Sequence, residues 1–110
     1  MVPPVDVIEK DHAFEVMVEL PGLDMKDIDV KYSGGMLTIT GEKTEETEEE
    51  KKGLVVSERR HGSFERSFRV PESVDTKIIE ARFDKGVLIV VLPMKAEARS
   101  NERKIRVKAA

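Results

Sequence analysis

Ala81-Arg82-Phe83-Asp84-Lys85-Gly86-Val87-Leu88-Ile89-Val90-Val91-Leu92-Pro93 reads as a strand, a glycine turn and a second strand closed by proline. Ile79, Ala81 and Phe83 share one face by alternation, and Leu88, Val90 and Leu92 share the core face of the strand that follows. That places Val87, Ile89 and Val91 on the opposite, normally wetter face. After a charged spacer comes Ile105-Arg106-Val107, two β-branched residues straddling one arginine in a tail too polar to fold alone. Two aliphatics two positions apart point the same way on an extended chain, so both can enter one groove while Arg106 stays in water. The tail reads as a docking peptide.

The same period of two recurs upstream. Residues 5–9 alternate after Pro3 and Pro4, which cannot donate to a ladder, and predict an edge strand. Phe14, Val16, Val18 and Leu20 face one side of residues 13–20, and Pro21-Gly22 ends that strand. Residues 24–27 predict a polar turn or a single turn of helix. Ile28, Val30 and Tyr32 alternate next, Ser33-Gly34-Gly35 makes a hairpin turn, and Leu37 and Ile39 face inward on the return. Phe64, Arg66, Phe68 and Val70 share a face in residues 63–70, where a guanidinium among phenylalanines calls for a carboxylate or carbonyl partner. Short strands and regular turn signals predict an all-β fold, an antiparallel immunoglobulin-like β-sandwich of about seven to eight strands. No repeat and no second domain is visible.

Residues 42–52 (EKTEETEEEKK) contain no apolar side chain and predict a mobile excursion, because nothing in them can be buried to offset ordering entropy. Leu54-Val55-Val56 then forms an apolar island inside that excursion, poorly suited to water.

Composition excludes several function classes. The chain has 110 residues, a formal charge of −3, 37% charged and 5% aromatic residues. That charge gives no attraction to phosphate backbones, and Tyr32 alone is no stacking platform, which argues against nucleic acid. No cysteine means no disulfide, thiolate nucleophile or cysteine metal site, as expected in a reducing compartment. Met1-Val2-Pro3-Pro4-Val5-Asp6 lacks the basic and apolar regions of a signal peptide, and no apolar run approaches about 18 residues. The expectation is a soluble cytoplasmic protein without membrane partners. His12 and His61 form no metal-binding pair, no serine sits in a nucleophile elbow, and Gly34-Gly35 lacks the spacing of a phosphate loop. No catalytic, cofactor or metal site is expected. Binding is the expected activity.

Ala81, Gly86, Val87 and Leu88 match the A-x-x-x-n-G-V-L signature of the α-crystallin domain, and Ile105 and Val107 match the I-x-I/V tail motif of the same proteins. Leu20-Pro21-Gly22, residues 34–41 (GGMLTITG) and residues 62–71 (GSFERSFRVP) stand in the family's order. The chain resembles the small heat-shock proteins (Hsp20) of bacterial type, lacking most of the N-terminal arm. The resemblance implies an α-crystallin domain over residues 1–94, with a dimerisation excursion at 42–60, and a C-terminal extension over 95–110. It implies an ATP-independent holdase that binds partly unfolded client proteins, needs no cofactor and forms homodimers by strand exchange, with larger oligomers built through the tail. Leu54, Val55, Val56, Ser57 and Glu58 would pair with a neighbour, meeting its Val5 and Val7. Ile105 and Val107 would dock in a groove bordered by Ile28, Val30, Tyr32, Ile79, Ala81 and Phe83. Residues 95–104, fully extended, span on the order of 33–36 Å, enough to reach another subunit. The family usually carries polar residues at positions 89 and 91, so Met17, Ile89 and Val91 are a candidate exposed patch for clients or assembly. Two other readings stand beside this one: a β-sandwich co-chaperone or adaptor for a specific folded partner, and a purely structural oligomerisation module.

Overall fold

The computed structural model describes residues 3–51, 53–100 and 104–110. Seven strands are found among them: β1 Val5–Lys10, β2 Ala13–Glu19, β3 Ile28–Ser33, β4 Met36–Lys51, β5 Leu54–Arg69, β6 Glu80–Asp84 and β7 Val87–Pro93. They form a four-stranded sheet ordered β1-β2-β7-β6 and a three-stranded sheet ordered β3-β4-β5, all neighbours antiparallel. One 3-10 turn, Met25–Asp27, follows the Pro21-Gly22 break, where the Asp24 N–H donates to the Asp27 carboxylate at 2.9 Å.

The alternation places the core. Val16, Val18, Leu88, Val90 and Leu92 from the first sheet meet Leu37, Ile39 and Phe64 from the second, and Leu20, Leu23, Val70 and Val74 close the ends. The register explains the stacking, since Val16 pairs with Val90 and Val18 with Leu88 across β2 and β7. Burying an aliphatic side chain of this kind stabilises the fold by about 1.5–3 kcal/mol, so these residues dominate the energetics.

Three expectations need correction. Residues 42–51 are not a mobile excursion: β4 continues through them, each paired in register with β5, from Glu42 against Ser63 to Lys51 against Leu54. The ladder satisfies the backbone of both strands without needing an apolar face, and Gly53, at φ 78°, turns the chain at the tip. Arg66 shares the inward side of β5 but is exposed, because β5 is an edge strand; its guanidinium carbon lies 5.7 Å from the centre of the Phe68 ring. Solvent reaches the guanidinium, so the carboxylate or carbonyl partner that a buried charge would need is not required, and the ring face adds a cation–π contact. The spacer before the tail is not wholly extended, since Ala96–Ser100 forms a short helix, α1, which cuts the reach by roughly 9 Å at 1.5 Å rise per residue.

The resulting shape is elongated. A compact chain of about 100 residues has a radius of gyration near 13 Å, whereas the Cα value here is 20.8 Å and the longest extent is 86 Å. The β4–β5 hairpin beyond Gly41 and the tail both stand off the sandwich.

Candidate functional site

Each sheet ends in two open edges, and the sandwich brings them together in pairs. On one side, a cavity of about 420 Å³ opens between β1 and β2 of one sheet and β5 of the other, lined mainly by Val7, Phe14, Leu37, Phe68, Val70 and Leu92. Because β1 and β5 flank that side, the edges β3 and β6 flank the other. Alternation gives Phe14, Leu37, Phe68, Val70 and Leu92 their shared strand faces but does not indicate this cleft, since it cannot tell which sheet edges lie over one another.

The β3/β6 side carries the residues expected to receive the tail. Ile28, Val30, Ile79 and Phe83 are partly buried against the core, while Tyr32 and Ala81 are exposed. The seam between these two strand edges is therefore bordered by both partly buried and exposed side chains. The tail lies elsewhere. Ile105 is 76% exposed and Val107 92% exposed. The C-terminal segment starts from a fixed point, where the Met94 N–H donates to the His12 carbonyl at 2.8 Å and the Lys95 N–H to the Ser73 carbonyl at 2.7 Å.

At the tip of the hairpin, Leu54 and Val55 are 69% and 61% exposed and Ser57 is exposed. The side chains of Val56 and Glu58 lie outside the described residues. On β1, Val5 packs partly against the core, whereas Val7 stands exposed at the mouth of the apolar cavity.

Met17, Ile89 and Val91 share the outer face of the four-stranded sheet, because Ile89 pairs with both Met17 and Arg82 and Val91 with both Glu15 and Glu80. They are half-buried rather than exposed. Glu80 and Arg82 border a crevice of about 40 Å³ over Ile89 and Val91, and a Lys10–Glu15 ion pair of 2.8 Å spans the neighbouring strands. Long charged side chains therefore stand on the strands beside the stripe, and the stems of such side chains commonly cover apolar surface.

His12 and His61 are exposed, with His61 Nδ1 3.0 Å from Thr44 Oγ1 and Nε2 3.5 Å from a Glu42 carboxylate oxygen. Among the described residues no cluster of His, Cys, Asp and Glu could hold a metal ion, and no helix is long and apolar enough to cross a membrane.

A β-sandwich with open edges, a projecting hairpin and an aliphatic tail motif is matched by one family model, described as the Hsp20/alpha crystallin family, over residues 6–108. The chain belongs to the Hsp20/alpha crystallin family. It is 40% identical to the small heat shock protein C2 of Rickettsia felis over 108 residues, covering 98% of this chain and 69% of that one. It is 41% identical to heat shock protein 16 of Schizosaccharomyces pombe over 111 residues, covering 96% and 75%. Among solved structures, heat shock protein 16.0 of S. pombe superposes with a TM-score of 0.71 at 39% identity, covering 98% of this chain and 99% of that one. A small heat-shock protein from Xylella fastidiosa, reported to have a distinct high order structure, gives 0.69 at 34% identity, covering 99% and 98%. Hsp20 proteins are non-enzymatic chaperones, in keeping with a site made of edges and clefts.

Proposed function

We propose that this Hsp20 chain, an ATP-independent chaperone, keeps partly unfolded proteins from aggregating by offering them the same open edges and apolar clefts through which its own copies associate. The observation that carries the reading is the amount of aliphatic surface left in water on a folded body: Leu54, Val55, Val7, Ile105 and Val107 are all more than half exposed. A species that binds intermediates, and not native states, competes with their self-association by mass action and needs no fuel.

In this reading residues 1–94 are the working domain and 95–110 the extension. Two copies exchange arms, so that the strand carrying Leu54, Val55, Val56, Ser57 and Glu58 is laid along the β1 edge of the neighbour, near its Val5 and Val7. Reciprocal exchange of this kind closes into a two-fold dimer. Ile105 and Val107 enter the β3/β6 seam of another copy, among Ile28, Val30, Tyr32, Ile79, Ala81 and Phe83. Two aliphatic anchors, each giving about 1.5–3 kcal/mol at full burial less the ordering cost, make that contact weak and exchangeable. Met17, Ile89 and Val91 serve as a further patch for clients or assembly. A cytoplasmic location belongs to the same proposal, on the cysteine-free sequence.

The test is to heat an aggregation-prone enzyme with and without this protein, omitting nucleotide, and to follow light scattering. Suppression at several-fold molar excess is expected. Undiminished scattering at that ratio overturns the reading for this chain.

A further inference from the structure

The arm is a cantilever. It leaves the sandwich where Gly41 pairs with Phe64, and residues 42–51 carry it about 34 Å from that root at the rise of an antiparallel strand. A two-stranded ribbon with no third strand has little else to hold its direction, so its angle is set at the root. Over that length a rotation of about 5° moves the tip by about 3 Å, an appreciable part of the ~4.8 Å spacing between paired strands. An arm that lays a strand along a neighbour's edge needs a defined root angle.

Lys43 supplies a brace at that place. Its ammonium donates to the Gly22 carbonyl, crossing from the root of the arm to the turn that ends β2. The geometry is local: Gly22 is at φ 84°, and a Cβ built on it would lie 3.9 Å from Lys43 Nζ. Lys43 is half-buried, whereas Glu42 and Thr44 on either side are exposed. The turn that it grips is itself anchored, because the Leu20 N–H donates to the Gly86 carbonyl at 2.7 Å and Leu23 is buried in the core. Leu20 and Gly86 belong to the ends of the four-stranded sheet, while the arm grows from the three-stranded one. The contacts of His61 with Thr44 and Glu42 join the two strands of the arm to each other and do not reach the turn.

We propose that Lys43 is a positioning residue for arm exchange, its bond to the Gly22 carbonyl fixing the arm's angle to the sandwich so that the tip meets the edge of a second copy. The inference rests on the arm-exchange reading above. Lys43→Met keeps the apolar stem and removes the donor, and Lys43→Arg keeps a donor.

The chain has no cysteine, so nitroxide labels can be placed cleanly at Lys31→Cys on the body and Glu50→Cys on the arm. Labelled chains diluted in excess unlabelled chain report the distance within one copy. For Lys43→Met the expected result is a distance distribution broadened by about 3 Å or more. Dimer affinity, read by sedimentation, should weaken about tenfold in the same variant. Lys43→Arg should stay near the native values, and the melting temperature of the body should not move in either variant. Native width in Lys43→Met, or weakened affinity without broadening, overturns the positioning role. A chain with residues 44–61 replaced by a short turn tests the underlying reading separately: if it dimerises as tightly as the native chain, arm exchange itself fails and the role of Lys43 with it.

Discussion

The ring of Phe64 lies against the backbone of Gly41: a Cβ on Gly41 would stand 2.3 Å from Cε1 and 2.9 Å from Cζ of that ring, and 3.0 Å from Leu23 Cδ2. Gly41 is buried at the point where β4 passes from the core into the arm, and its φ is not in the left-handed region, so the demand for glycine there is one of space. Gly41→Ala should therefore act by overpacking, destabilising the body by about 1–3 kcal/mol in urea unfolding. Phe64→Leu, which shortens the obstructing side chain, should recover part of that loss in the double variant, giving a non-additive cycle between residues in contact. A loss for Gly41→Ala below about 0.5 kcal/mol would mean that the ring moves aside at no cost and that the contact does not shape the root.

Leu54→Ser together with Val55→Ser should separate folding from association. Both side chains are mostly in water in the single chain, so the melting temperature of the body should hold, as for most surface substitutions. If the arm tip is buried in a dimer, removing two aliphatic contacts should cost at least about 1.4 kcal/mol, a tenfold loss of dimer affinity. Sedimentation equilibrium reads it directly. Unchanged affinity would remove these residues from the interface.

The parts of the fold that were legible in the sequence are those where burial writes a pattern. Val16 and Val18, Leu37 and Ile39, and Leu88, Val90 and Leu92 all sit where a period of two places them. The 42–51 segment escaped for the opposite reason: no side chain on it needs a core, and its strand character comes from a backbone ladder to residues 54–63 that any polar sequence can make. Alternation gives Arg66 its correct face but does not show that its strand is an edge, and only an edge lets a long side chain leave that face for solvent. Ala96-Glu97-Ala98 carries good helix formers, yet so short a run is marginal by propensity alone and read as spacer. For the site, alternation gives the shared faces of Ile28, Val30 and Tyr32 and of Ile79, Ala81 and Phe83, but only the family resemblance makes them a docking groove, and the β1/β5 cavity needed the order of strands in both sheets.

Ile105→Ala with Val107→Ala should leave the sandwich untouched, because neither side chain is buried in the single chain. The expected change lies in assembly: species larger than the dimer should disappear in light scattering coupled to chromatography, and a chain ending at Ser100 should behave alike. Each anchor contributes about 1.5–3 kcal/mol at full burial less the ordering cost, so loss of both should shift the assembly equilibrium by about tenfold or more. If assembly size is the same in native and tail-substituted chains, the tail is not an assembly element.

The outer stripe on β7 poses the sharpest choice between packing and binding. Ile89 and Val91 are half-buried beside Glu80 and Arg82, so part of their apolar surface is already covered and part remains for a partner. Ile89→Lys with Val91→Thr keeps the strand and its pairing with β2 and β6 while replacing that surface with polar groups; the body should lose about 1 kcal/mol or less from partial burial. Client protection in the heated-enzyme assay should fall several-fold with the dimer intact if the stripe binds clients, and assembly size should fall if it binds copies. With scattering suppression and assembly size both at native values, the stripe would be packing for its own charged neighbours and nothing more, and client capture would have to reside in the β1/β5 cavity or along the open strand edges.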